Sequence, residues 1–288
     1  MTQRANNNLS VLPFYTDIEL QNHRKSYAYG KVYPLYCPVN RILPFQITRT
    51  ETGAIQWIRM YKLTGEYVAD LLTEMQQTGF SVVTRTGDDY NTIVYSGIMP
   101  LATNMLQGQY YIAIHTANAT YYSDVFTVVA QISPFLMIEW YDDDDLVMEG
   151  CRVVYGSPRF INRLWLAVEL GKPDYTFTEE GEERDGFYFP EKQLSEKKYK
   201  FTMLAPEYLC DVMRFIRMSD HVRITDKYGR EYFPDQFLMT PKWQDQGDIA
   251  SVEVEFQTAT VAKKIGRGIL PHNDGDFNND FNDDFLNS

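Results

Sequence analysis

The sequence predicts an all-β, mainly antiparallel protein: a β-sandwich, then a second β-rich domain with one short helix, flanked by extended N- and C-terminal arms. Three observations carry that prediction. Apolar and polar residues alternate with period two in several segments, the pattern of strands with one buried face. Short runs restart at spacings of about 8–12 residues after glycine-containing turns, which is sandwich spacing. Aromatics make up 15% of the chain, with 21 Tyr among the residues, a composition suited to strands and interfaces. A length of 288 residues fits one large domain or two ordinary ones.

Residues 1–40 read as an extended arm. Asn6, Asn7 and Asn8 precede Tyr27, Tyr29, Tyr33 and Tyr36, with Pro13, Pro34 and Pro38 as punctuation and no helical period. Residues 41–132 form the sandwich. Ile55, Trp57, Ile58 and Met60 follow Thr52-Gly53, and Tyr67-Val68 restarts after the turn Thr64-Gly65. A helical turn fits Leu71–Met75. Further strands lie at Thr92–Tyr95, at Gly108 onward (Tyr110, Ile112 and Ile114 against Tyr111, Ala113 and His115), and at 119–129 as one run.

Residues 133–267 form the second domain, opened by Ser133-Pro134. Leu164, Leu166, Val168 and Leu170 alternate with Arg163, Trp165, Ala167 and Glu169 as the wet face, and Tyr199, Phe201 and Met203, like Val252, Val254 and Phe256, alternate with polar residues. Val222 and Ile224 face Tyr232 and Phe233 across the turn Asp226–Gly229. Glu179, Glu180, Glu182 and Glu183 around Gly181 read as a hairpin tip or loop. The one clear helix spans 206–218: Pro206 suits the first turn, Glu207 the positive end, and Leu209, Val212, Met213 and Ile216 make one apolar stripe.

Residues 268–288 change character. No Lys or Arg follows Arg267, five aspartates appear, and Phe277, Phe281 and Phe285 recur every four residues. Such a segment does not fold alone. On a helix the three rings line one side, so they are the candidate partner-docking residues, aromatic anchors in an acidic frame. A solvated tail with chance spacing is the plainer alternative.

Several function classes lose support. The net charge of −12 argues against direct nucleic-acid binding, which needs a basic face. No apolar run approaches the ~20 residues of a membrane span. The first residues lack the apolar core of a signal peptide, so export by the standard route is not expected. Cys37, Cys151 and Cys210 are far apart and predict isolated thiols of a reducing compartment. His23, His115, His221 and His272 show no zinc-hydrolase spacing. No nucleophile elbow, phosphate loop or dinucleotide fingerprint occurs. Asp142, Asp143, Asp144 and Asp145 offer oxygen ligands for a cation, but consecutive residues point apart and the Ca²⁺-loop spacing is absent. An exposed acidic loop is the better reading. No catalytic, cofactor or metal residue is assigned, and no enzyme activity is expected.

Trp57, Trp140, Trp165 and Trp243 fit sugar stacking or, more commonly, core packing. Basic residues gather mildly at Lys192, Lys197, Lys198 and Lys200, and at Arg214, Arg217, Arg223, Lys227 and Arg230. They read as solvated faces, or as surfaces for an acidic partner such as another copy's tail, a head-to-tail contact that builds a ring or filament.

The stretch GQYYIAIHTANATYYSDVFTVV (108–129) resembles the end of Ig-like or fibronectin-like sandwich domains in phage and prophage proteins of gut Bacteroidota. The stretches SPFLMIEW (133–140), EKKYKFTMLAPEYLCDVMRFIRMSD (196–220) and DIASVEVEFQTATVAKKIG (248–266) resemble the second part of the same proteins. The resemblance covers about half of the chain and includes no catalytic signature. It implies virion structure: a tail, hub, baseplate or connector component, crAss-like phages included, assembled in the host cytoplasm with its own copies and neighbouring virion proteins. The alternative is a glycan- or receptor-binding sandwich module on a virion or cell surface. A hydrolase with paired carboxylates is the third and weakest reading.

Overall fold

The computed structural model describes residues 10–16, 35–84, 90–103, 105–131, 135–144, 147–148, 151–155, 160–243 and 249–264. Most of the predicted N-terminal arm and the whole 268–288 tail, Phe277, Phe281 and Phe285 included, lie outside them.

The chain is all-β and mainly antiparallel. Its elements are β1 (Phe14–Tyr15), β2 (Tyr36–Pro38), β3 (Phe45–Arg49), β4 (Ile55–Lys62), β5 (Tyr67–Asp70), α1 (Leu72–Gln77), β6 (Phe80–Thr84), β7 (Asn91–Tyr95), β8 (Gly108–Thr116), β9 (Thr120–Ser123) and β10 (Phe126–Val129). There follow β11 (Leu136–Tyr141), β12 (Val147–Met148), β13 (Cys151–Arg152), β14 (Asn162–Leu166), β15 (Asp174–Arg184), β16 (Phe187–Pro206) and α2 (Glu207–Met213). A 3₁₀ turn (Ile216–Met218), β17 (His221–Thr225), β18 (Glu231–Tyr232), β19 (Pro234–Lys242) and β20 (Ile249–Lys264) complete the chain.

The chain divides into two compact units, one of residues 1–174 and 198–259, the other of residues 175–197 and 260–288. In the first unit, the described residues build a sheet of order β1-β9-β8-β10-β2-β14-β11-β17-β18, with β4 on β8 and β5 on β4. It takes strands from both the 41–132 and the 133–267 segments, and β2 joins them: β2 runs parallel to β10 through Thr127↔Tyr36 and antiparallel to β14 through Trp165↔Tyr36. A second sheet, β3-β7-β6, is antiparallel. Phe45, Ile47, Ile93 and Tyr95 from this sheet and Ile58, Met60, Ile112, Ile114 and Phe126 from the large sheet share one core. The period-two reading picks out Ile112 and Ile114 among these, and it predicts no strand at Phe45–Arg49.

Four local expectations change. The 119–129 run breaks at Ser123-Asp124, because Asp124 Oδ1 accepts the Val125 N–H at 2.8 Å and the Ser123 hydroxyl donates to the Asp124 carbonyl at 2.8 Å. These local bonds compete with the ladder. Phe233 falls outside the β17–β18 hairpin, which pairs Ile224 with Tyr232, and Val222 pairs with Trp140 on β11 instead. The glutamates at 179–183 lie within strand β15, and the hairpin turn is Asp185-Gly186. Both turn residues have positive φ, 51° and 80°, the two-residue geometry that matches strand twist. The predicted helix holds its stripe, with Leu209, Val212, Met213 and Ile216 buried, but its last turn tightens to 3₁₀.

Candidate functional site

Residues 175–197 of the second unit form the β15–β16 hairpin of a sheet ordered β15-β16-β20-β19, with their apolar side chains in water. No described side chain among residues 175–197 is buried. Tyr175, Phe177, Phe187, Tyr188 and Phe189 are 45–69% exposed. The strands are tied by exposed polar pairs: Thr176 donates to Glu196 at 3.0 Å, Gln193 to Glu179 at 2.6 Å, and Lys192 lies 3.5 Å from Glu180. Lys197 sits 5.8 Å from the Tyr175 ring centre. Exposed pairs of this kind add a few tenths of a kcal/mol each. At Gly181 the strands close up so far that a Cβ would stand 2.2 Å from the Phe189 carbonyl oxygen, so no side chain fits there.

The first unit carries an aromatic face on β4, β5, β8 and β9. Register places Trp57 opposite His115, Arg59 opposite Ala113 and Tyr61 opposite Tyr111, and β9 adds Tyr122 beside Ala113. Trp57 stacks on His115 at 4.9 Å and Tyr61 on Tyr111 at 5.3 Å. The Arg59 guanidinium lies 4.5 Å from the Trp57 ring and 6.0 Å from Tyr67.

Two buried charge networks brace this unit. Glu51 accepts from Arg49 at 2.9 Å, from Thr116 at 2.8 Å and from Tyr121 at 2.8 Å. Burial alone raises its carboxyl pKa, but these hydrogen bonds outweigh it and hold the group below its usual range. In the second network Glu139 on β11 sits between Arg163 on β14 and Arg223 on β17. The Arg163 Nη1 also donates to the Gly97 carbonyl at 3.2 Å. A groove of about 560 Å³ opens here, lined by Glu139, Tyr141, His221, Arg223, Phe233 and Asp235 among others. Both Glu139 oxygens are taken by arginines, so the row reads as a brace.

The acidic loop after Trp140-Tyr141 is tied down. Asp142 accepts the Asp220 N–H at 2.8 Å, Asp143 lies 2.9 Å from His221 Nε2, and His221 stacks on Tyr141 at 4.5 Å. Burial holds the Asp142 carboxyl above its usual range. Asp144 is exposed and Asp145 lies outside the described residues. Among the described residues no group of three His, Cys, Asp or Glu is placed to hold a metal ion. Cys37 and Cys210 are buried free thiols; burial raises both, Cys210 to about 11. His115 is hydrogen-bonded to Thr120 at 2.7 Å, and His23 and His272 lie outside the described residues.

Of the tryptophans, Trp140 and Trp165 are buried, Trp57 is stacked within the aromatic face, and Trp243 is 45% exposed. The basic residues mostly pair: Lys200 with Glu255, Lys227 with Glu169, Arg230 with Asp226 and Arg214 with Asp211. The hairpin aromatics were missed in the sequence reading. The signal for them was Asp-Gly between Tyr175-x-Phe177 and Phe187-x-Phe189, which Gly181 in its glutamate cluster overshadowed.

No protein-family model matches the chain, and no curated protein does. Among solved structures, a chain in the tail of an empty GTA particle, refined helically in C6 symmetry, aligns at 12% identity over 46% of this chain and 96% of that one, with a TM-score of 0.22. The Dpr2 Ig1-Ig2 complex with DIP-Theta Ig1-Ig3 aligns at 10% identity over 81% of this chain and 92% of that one, with a TM-score of 0.17. At such TM-scores neither likeness transfers a function. No helix of the described residues is long and apolar enough to cross a membrane.

Proposed function

We propose that this chain is a non-enzymatic structural component of a bacteriophage virion, a tail, hub, baseplate or connector protein that assembles with its own copies and neighbouring virion proteins in the host cytoplasm. The observation that carries the reading is the hairpin 175–197, with five aromatic side chains in the open and none of its described side chains buried. An exposed aromatic cluster marks a surface made to be covered. Burying one such ring is worth about 1.5–3 kcal/mol, so a few of them hold an assembly. The resemblance of 108–129, 133–140, 196–220 and 248–266 to phage structural proteins supplies the setting. The sugar-binding alternative draws less support, since two of its four tryptophans are buried and a third is stacked against His115.

The test is the solution mass of the full chain by light scattering across a concentration series, beside the variant Phe177→Ser/Phe187→Ser/Phe189→Ser. A closed oligomer that falls to monomer in the variant, with an unchanged far-ultraviolet dichroism spectrum, supports the reading. Equal masses for the two proteins overturn it.

A further inference from the structure

The aromatic face of the first unit has an unusual centre. Arg59 stands in the middle of strand β4, with Trp57 two residues before it and Tyr61 two residues after, all on the outward face. Rings hold its guanidinium in place: Trp57 at 4.5 Å and Tyr67 at 6.0 Å. Asp70 forms an exposed ion pair with it at 3.6 Å, too long for a hydrogen bond, so the buried Arg59 Nε–H has no hydrogen-bond acceptor. The side chain is still 40% exposed. Tyr67 beside it is 54% exposed. The opposite residue Ala113 is small and itself covered, and Tyr122 follows it in register on β9. Aromatic-plus-arginine patches are the composition of binding hot spots.

The spacing of this face recurs in the chain's own tail. Trp57, Arg59 and Tyr61 occupy positions i, i+2 and i+4 of an extended strand, so the outer two are about 13 Å apart. In the tail, Phe281, Asp283 and Phe285 occupy i, i+2 and i+4 as well. Laid out extended, that stretch presents two phenyl rings about 13 Å apart with a carboxylate between them. The match is aromatic to aromatic at both ends and anion to cation in the middle. After Arg267 the tail has no lysine or arginine to oppose the contact. Residues 265–288 reach at most ~80 Å when extended, enough to cross to a neighbouring copy.

We propose that the Phe281–Phe285 stretch of one copy docks extended on the β4 face of another, with its two phenylalanines against Trp57 and Tyr61 and Asp283 on the Arg59 guanidinium. This rests on the reading that copies of the chain assemble. It gives the acidic tail a receptor on its own kind and makes it a lace between copies.

The test uses the full-length chain carrying Phe281→Ala/Phe285→Ala, so that its own tail does not compete. A fluorescent peptide of residues 274–288 is titrated with it and read by anisotropy. Saturable binding is expected, weakened about tenfold or more by Arg59→Glu and by Trp57→Ala. A peptide carrying Asp283→Lys should bind the Arg59→Glu protein more tightly than it binds the Arg59 protein. That reversal cannot come from misfolding. Flat anisotropy, or binding indifferent to Arg59, overturns the proposal and leaves the face to a sugar or another protein. The light-scattering test reads the hairpin and not the tail, so either reading can fail alone.

Discussion

Glu51 shows how a buried charge is made safe. Its side chain is 9% exposed, yet Arg49, Thr116 and Tyr121 all donate to it, and Asn91 donates to its backbone carbonyl. The folded-state pKa is depressed below the ordinary value of 4.5, so the stability this group adds is present above that value and is lost as pH falls through the folded pKa. Glu51→Gln should cost about 1–3 kcal/mol at pH 7, because the arginine and two hydroxyls lose an ionised acceptor. It should also flatten the loss of stability below pH 4.5, as read by urea unfolding across pH. Glu139 is the stricter case. With both arginines left behind, Glu139→Leu should cost about 3–5 kcal/mol, and a lowered thermal midpoint is the check. None of these partners was legible in the sequence. Arg163, Glu139 and Arg223 are 24 and 84 residues apart, and only strand order brings them into one row.

At the scale of elements, the hairpin β15–β16 depends on two glycines for different reasons. Gly186 holds φ of 80°, a region where an added Cβ costs about 1 kcal/mol. Gly181 has an ordinary φ and no room, since its Cβ would meet the Phe189 carbonyl. Gly181→Val should therefore part the strands where Gly186→Ala only strains the turn. Amide exchange along 176–196 separates the two outcomes. The strands legible in the sequence rest on burial of one face: Tyr199, Phe201 and Met203, or Val252, Val254 and Phe256, alternate because a core lies on one side. The hairpin defeated the same rule. Both its faces are wet, so its alternation of aromatic and polar residues points at no core, and its glutamates look like a loop. Strand β14 departs in the other direction: Asn162 to Leu166 are all buried, so Arg163 and Trp165, read as the wet face, are covered too.

For the whole molecule, a charge of −12 sets copies against one another before any contact forms. Raising ionic strength from about 0.01 to 0.15 M shortens the screening length from about 30 to 8 Å. Assembly through the hairpin rings should strengthen over that range, seen as a rise in mass by light scattering at fixed protein concentration. A decline would mean that charge attraction, and not ring burial, holds the copies. Strand β2 carries a different consequence. Residues 36–38 leave the ribosome well before their two neighbours in the sheet, which come from 126–129 and 162–166. At ordinary rates of synthesis the last of these appears roughly ten seconds later. Through that interval both edges of β2 are open, and the nascent chain is most vulnerable to pairing with a stranger. Pulse-labelled nascent chains stopped before residue 126 should accordingly recruit holdase chaperones, and chains extended well past residue 166 should release them.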